Sequence, residues 1–361
     1  MRASWRIIVL LTGLIICSAI IVMLYSDGTF IQEEIKLEKY WPTKDWRTAP
    51  HEDLGLDSNR IQSMINRIRN DMPTIDSFLV IRHGYIAAEG YFGSNNQTSK
   101  HHIYSCTKSV MSTLIGIAVE SGEIPSVDSK VLDLLSNRRP STTSPWKEEM
   151  TLKNLLTMTS GIDARDDYPD NWLWLDRMLN ATDAIQYCLD LNVTVKPGTV
   201  FKYTNANSHI LSAILEESTG RTTLEFAEEK FFTPLGIFDI SWKNDTSGRM
   251  WGFYGLYLRT RDMAKIGYLW LQGGEWDGEQ IVPISWVREA TSKKMNADLF
   301  PGYAYQWWTG NNFYCAMGYA GQFIYVFPEH DLIIVFTGHG QENWENPQIL
   351  LRDYILPAIK D

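Results

Sequence analysis

The chain has 361 residues, 44% of them hydrophobic, and a formal net charge of −10, with an isoelectric point near 5.3. Such an acidic balance argues against nucleic acid as a partner, and four cysteines make no disulfide framework. The length suffices for a large core or two packed lobes, and no internal repeat or low-complexity tract interrupts it.

Residues 7–25 form an apolar run broken only by Thr12, Gly13 and Ser18, close to the roughly 20 residues that a membrane-spanning helix needs. Arg2 and Arg6 precede the run, and Asp27, Glu33 and Glu34 follow it. By the positive-inside rule the N-terminus then lies in the cytoplasm, and the bulk of the chain is expected outside it as a single-pass membrane protein. A cleaved signal peptide is the rival reading. No small-x-small cleavage site follows the run, and Leu14-Ile15-Ile16-Cys17 lacks a lipobox. The expected organisation is an anchor or signal segment over 1–27, a linker over 28–50 and one domain over 51–361. Sequons at Asn96, Asn180, Asn192 and Asn244 are glycosylation acceptors if a secreted chain meets the machinery.

Ser58 to Asn70 has amphipathic helical spacing. Two strand-like runs, 77–82 and 85–91, flank His83-Gly84 as a hairpin. His101-His102 are adjacent, share no face of a helix or strand, and read as solvated or capping residues rather than metal ligands. Ser105 opens a nearly all-apolar helical run that stops at Gly122. Helices then dominate to about residue 295. Within that stretch Lys196-Pro197-Gly198-Thr199 is a turn, and a second buried helix runs from His209 to Gly220. Strands follow around Phe313, Phe323 and Leu332, and a helix from about 347 to 359 closes the chain. Cys188 and Cys315 could pair, which spacing does not decide.

Ser105 and Lys108 stand one helical turn apart on one face. A serine hydroxyl needs a base to become nucleophilic, and a lysine can serve. At the first turn of a helix, free N–H groups and the helix dipole also favour a developing oxyanion. A second serine with a lysine three residues on, Ser144 and Lys147, sits in a Pro- and Ser-rich stretch that reads as a loop. In Tyr203-Thr204-Asn205 an extended or loop backbone would aim the phenol and the amide the same way. A phenol beside an ammonium can accept a proton, and an asparagine can bond both a substrate amide and a lysine. No glycine-x-serine-x-glycine elbow, phosphate loop or paired-histidine metal motif is present, and no cofactor is expected.

Together Ser105-Cys106-Thr107-Lys108, Tyr203-Thr204-Asn205, the run 155–162, Pro197-Gly198 and the stretch 318–329 resemble the serine β-lactamase-like hydrolases. This family includes class C β-lactamases, esterases, D-amino-acid peptidases and 6-aminohexanoate-dimer hydrolases. The resemblance covers roughly residues 50–360. It implies an α+β, β-lactamase/transpeptidase-like fold: an antiparallel sheet built from both chain ends, packed with helices, plus a helical insertion lobe. It implies Ser105 as nucleophile, Lys108 and Tyr203 as the proton-transfer pair, and Asn205 positioning substrate or lysine. Where the family usually carries a lysine or histidine, a small residue and glycine, this chain has Ala316 in the cation's place, against penicillin as natural substrate. The N–H of Tyr319, after Gly318, would complete an oxyanion hole with that of Ser105, Gln322 being the alternative donor. Tyr168 and His339 lie in loops that line the pocket in relatives. The expected activity is hydrolysis of a small ester, amide or peptide outside the cytoplasm through an acyl-serine. The alternatives are a cell-wall D-amino-acid peptidase or transpeptidase, and a catalytically degenerate sensor that binds peptide or β-lactam.

Overall fold

The computed structural model describes residues 25–26, 29–30, 39–142, 144–164, 172–340 and 345–360. A short antiparallel pair, Tyr25–Ser26 with Thr29–Phe30, belongs to a small unit of its own. The main compact unit runs from Lys39 to Asp361.

A seven-stranded antiparallel sheet organises that unit. Its order is Gly302–Tyr303, Trp308–Thr309, Tyr314–Gly318, Gln322–Phe327, Leu332–Gly338, Ile75–Arg82 and Tyr85–Tyr91. The last long strand therefore pairs with the first, Ile333 opposite Ile81 and Val335 opposite Leu79, so both chain ends build the sheet as expected. The turn His83-Gly84 closes the 75–82/85–91 hairpin, with both residues at positive φ. Every residue of Leu332–Gly338 and Gln322–Phe327 is buried, so both faces are covered. On one face Leu79, Ile81, Ile324, Val326, Ile333 and Val335 join the main apolar core. The helix Thr260–Leu271 packs there, and Gly267 permits the approach: a Cβ on it would stand 2.8 Å from Ile333. The alternate residues, among them Phe78, Val80, Tyr325 and Phe336, fill the other face.

The long helices of the insertion are Cys106–Glu120 and Asn205–Thr219, which pack against each other. Glycine stops the second in the left-handed conformation, Gly220 at φ +66°. This region is less purely helical than expected. A three-stranded sheet, ordered Lys100–His102, Leu256–Arg259, Ser241–Trp242, places His101 and His102 on a strand that leads straight into Ser105. The first helix spans Ser58–Asp71, capped by Asp57, and packs on the C-terminal turns Leu351–Ile355 and Leu356–Ala358. That C-terminal segment starts as a regular helix, Glu345–Leu350, and then widens and tightens in turn.

One expectation is corrected and one open question is answered. Among the described residues no helix is long and apolar enough to cross a membrane, which overturns the single-pass membrane reading; residues 7–24 of the run behind it lie outside the described residues. Cys188 and Cys315, which could have paired, form no disulfide: both are buried thiols, as is Cys106, and Cys188 lies against the Met178 sulfur at 3.2 Å.

Arg82 ties the sheet to the N-terminal segment. Its guanidinium donates to the carbonyls of Leu54 at 3.0 Å, Gly55 at 2.6 Å and His330 at 3.2 Å. Arg82→Ala leaves these partners without that donor and is expected to cost about 2–3 kcal/mol, read as a lower urea midpoint at unchanged slope.

Candidate active site

The strand Lys100–His102 ends where Ile103 N–H donates to Leu256 O at 3.0 Å. The chain then turns sharply. Tyr104 adopts φ +45°, an uncommon conformation for a bulky residue, with a steric cost of about 1–2 kcal/mol. Hydrogen bonds from Cys106 N–H to Ile103 O and from Thr107 N–H to Tyr104 O close the turn. Ser105 stands at the N-cap, yet its hydroxyl makes no capping bond. It faces Lys108 instead, whose Nζ donates to Ser105 Oγ at 2.9 Å.

Lys108 is only 1% exposed. Its ammonium also donates to Asn205 Oδ1 at 2.6 Å and, at the long distance of 3.5 Å, to Phe253 O. The Tyr203 ring lies 4.7 Å from Nζ and the Phe253 ring 5.4 Å, at cation–π range. Between Tyr203 and Asn205 the backbone is extended at Thr204, φ −150° and ψ 139°. Thr204 is an N-cap whose Oγ1 accepts from Ala206 N–H at 3.3 Å, and Asn205 is the first residue of the helix, not part of a strand. Tyr203 is held from behind by Trp308, stacked at 5.6 Å, and edge-on by Tyr303 at 6.1 Å.

The strand Tyr314–Gly318 brings its last residue against the same turn. A Cβ on Gly318 would sit 2.3 Å from Ile103 O and 3.2 Å from Ser105 N, so only glycine fits. Ala320 and Gly321 follow at φ +61° and +86°. Gln322 is buried, and its side-chain amide donates to Gly338 O at 2.7 Å and Ala320 O at 3.2 Å, so that side chain is committed to the turn. Ala316, in the place of the family's cation, is fully buried.

Beside Ser105 opens a cleft of about 390 Å³ lined by Tyr104, Tyr319, His339, Asp76, His101 and Lys100, among others. His339 is exposed and donates to Asp76 Oδ1 at 2.7 Å, and His101 faces Oδ2 at 3.7 Å. Burial pushes the Asp76 carboxyl up, but its contacts with the two histidines outweigh that and hold it below the usual range. His102 lies between Tyr104 at 3.8 Å and Tyr257 at 4.8 Å, and its Nε2 accepts from Gly255 N–H at 2.9 Å. A backbone N–H can only donate, so this imidazole is neutral. Burial, helped by the nearby Lys243 charge, pushes it down to about 4.

The structure thus gathers Ser105, Lys108, Tyr203 and Asn205, sets Gly318 against Ser105, and puts Tyr319 and His339 on the adjoining cleft. Tyr168 lies outside the described residues. The second serine–lysine pair is no rival. Ser144 caps the short helix Pro145–Glu149, while Lys147 donates to Thr142 Oγ1 at 2.5 Å and Leu189 O at 2.7 Å. Sequence reasoning missed Phe253. Its signal is the glycine before it: a Cβ on Gly252 would meet Ser208 O at 2.0 Å, so the loop needs glycine to lie on the Asn205 helix.

Comparison with known proteins shows the family and the fold. A profile of the family described as Beta-lactamase matches residues 71–352. The 6-aminohexanoate-dimer hydrolase of Paenarthrobacter ureafaciens is 26% identical over 297 residues, covering 75% of this chain and 73% of that protein. Among solved structures, the octameric penicillin-binding protein homologue from Pyrococcus abyssi superposes with a TM-score of 0.65 at 21% identity, covering 84% of this chain and 78% of that one. A D-stereospecific amidohydrolase from Streptomyces sp. gives 0.64 at 16% identity, with 82% and 98% covered.

The neutral His102 has a consequence for stability. The unfolded chain takes up a proton near pH 6.5, whereas the folded one resists until about 4, so its stabilising share is full above 6.5 and drains away as pH falls through that window. His102→Gln is expected to flatten the loss of melting temperature between these limits. The loss is reduced rather than abolished, because burial also pushes His209 down.

Proposed function

We propose, for a chain that belongs to the Beta-lactamase family and is a serine hydrolase, that it cleaves a small linear amide or ester through an acyl-enzyme on Ser105. The observation that carries this reading is the buried Lys108 ammonium, bonded at once to Ser105 Oγ and Asn205 Oδ1. In the first step Ser105 Oγ attacks the carbonyl carbon while its proton passes to the deprotonated member of the Lys108–Tyr203 pair, the phenolate where Lys108 is the ammonium or the amine where Tyr203 is the phenol. The carbonyl oxygen gains charge between the N–H groups of Ser105 and Tyr319, the latter brought close by Gly318. The pair returns the proton to the leaving amine or alcohol, and the C–N or C–O bond breaks. Water then attacks the acyl carbon, giving its proton back through the same groups, and the acid leaves. Asn205 holds the lysine and offers its amide to the substrate.

Ala316 in the cation's place favours a substrate without a carboxylate held there, and the relative named for hydrolysing the 6-aminohexanoate dimer points to a linear amide. The roomy polar cleft beyond Tyr319 and His339 suits the part of such a chain that extends past the scissile bond.

The test is covalent labelling with a fluorophosphonate probe, located by peptide mass, followed by a panel of linear amides, esters and β-lactams. Label is expected on Ser105 and absent in Ser105→Ala. Lys108→Ala and Tyr203→Phe are each expected to slow acylation by about 10²–10⁴-fold. A folded wild-type protein that takes no label would replace this reading with that of a binding protein. A pH–rate profile unchanged in Lys108→Ala would remove the lysine from proton transfer.

A further inference from the structure

Gln306 lies far from both motifs in sequence and meets both in space. It is 2% exposed and sits at φ +61°, a strained conformation for a non-glycine residue that persists only where its surroundings over-determine it. Here they do. Ser109, the residue after Lys108, donates its hydroxyl to Gln306 O at 2.7 Å. Ser208, three residues into the Asn205 helix, donates to Gln306 Oε1 at 2.6 Å. Gln306 Nε2 donates to the carbonyls of Leu155 and Leu156 at 3.0 and 3.1 Å, and its own N–H to Leu156 O at 3.0 Å. Two residues on, Trp308 stacks on Tyr203 at 5.6 Å.

We infer that Gln306 is a positioning residue for the site proposed above: one buried residue, through its main-chain carbonyl and its side-chain amide, sets the spacing of the Lys108 helix, the Asn205 helix and the Tyr203 wall. The inference rests on the reading of Ser105 as nucleophile only for its kinetic consequence. Apolar packing alone could hold two helices side by side, but it tolerates small slides. The Lys108–Asn205 bond at 2.6 Å does not, and the paired hydroxyl bonds to one rigid residue fix the register that it needs. A displacement on the order of 1 Å at such a site is enough to cost about a hundredfold in rate.

The test compares Ser109→Ala, Ser208→Ala and the double variant in the full chain. Each single variant is expected to lower the labelling rate at saturating fluorophosphonate by about tenfold or more, with half-saturation moved by no more than about twofold. The double variant should be no slower than the worse single one, because the two ties act in series. Ser212→Ala is the structural control: Ser212 is buried on the same helix and donates to His209 O at 2.7 Å, so its loss should lower melting temperature without this rate effect. Additive losses in the double variant, or a Ser208→Ala loss no greater than that of Ser212→Ala, would overturn the inference. A second measurement does not depend on catalysis. The coupling between Lys108→Met and Asn205→Ala in unfolding midpoint should be present in the wild-type background and shrink in Ser208→Ala. Coupling unchanged there overturns the role of Gln306 even if Ser105 never reacts, whereas a failure of wild-type labelling alone counts against the proposed function.

Discussion

A positive charge with almost no access to water is the constraint around which this molecule is arranged. Taking an ammonium out of solvent costs several kcal/mol unless oxygens replace its hydration shell. Lys108 meets that requirement with Ser105 Oγ, Asn205 Oδ1 and the Phe253 carbonyl, and with the faces of two aromatic rings. Those partners come from three separate parts of the chain. Each has a local device to deliver it: the turn at Tyr104, the Thr204 cap, and Gly252 seated on the Asn205 helix.

Backbone strain gathers at the same place. Tyr104, Ala320 and Gln306 all have positive φ, and each flanks a group in contact with Ser105, Lys108 or Asn205, or adjoins the cleft. Strain of this kind is retained where the surrounding contacts dictate it. Gly318 adds the complementary feature, a backbone approach so close that any side chain would collide with Ile103 O. The site is therefore built from main-chain shape as much as from side-chain chemistry.

What the sequence makes legible follows from the range of the contacts. Ser105 and Lys108 were readable because a helix fixes their relation three residues apart. The 75–91 hairpin was readable from local turn chemistry, and the antiparallel sheet from the strands at both ends together with the family resemblance. Tyr203 and Asn205 were readable as a pair because the residue between them is extended, although the helix that it caps begins one turn earlier than His209. Phe253 and Gln306 were not found. They meet Lys108 and Ser109 across 145 and 197 residues, and no local pattern encodes such a meeting. The adjacent histidines misled for a related reason. His101 and His102 alternate on a strand, so one faces Asp76 and the other the Tyr104 ring, which a reading of exposed residues does not separate. The membrane expectation rested on a run almost wholly outside the described residues, and none of the described helices supplies a span.

Closing the sheet with both ends of the chain also has a bearing on biosynthesis. The strand Ile75–Arg82 is made well before its partner Leu332–Gly338 and pairs only after the long segment between them has been made. Gly318, which walls the reactive turn, is likewise among the late residues. Pairings of such sequence separation form slowly, because a long loop must close before any contact rewards it. The growing chain thus carries its serine and lysine without the wall that completes their pocket until those later residues have been made. Until those late strands are made, the apolar strands of the first hairpin need protection from other chains.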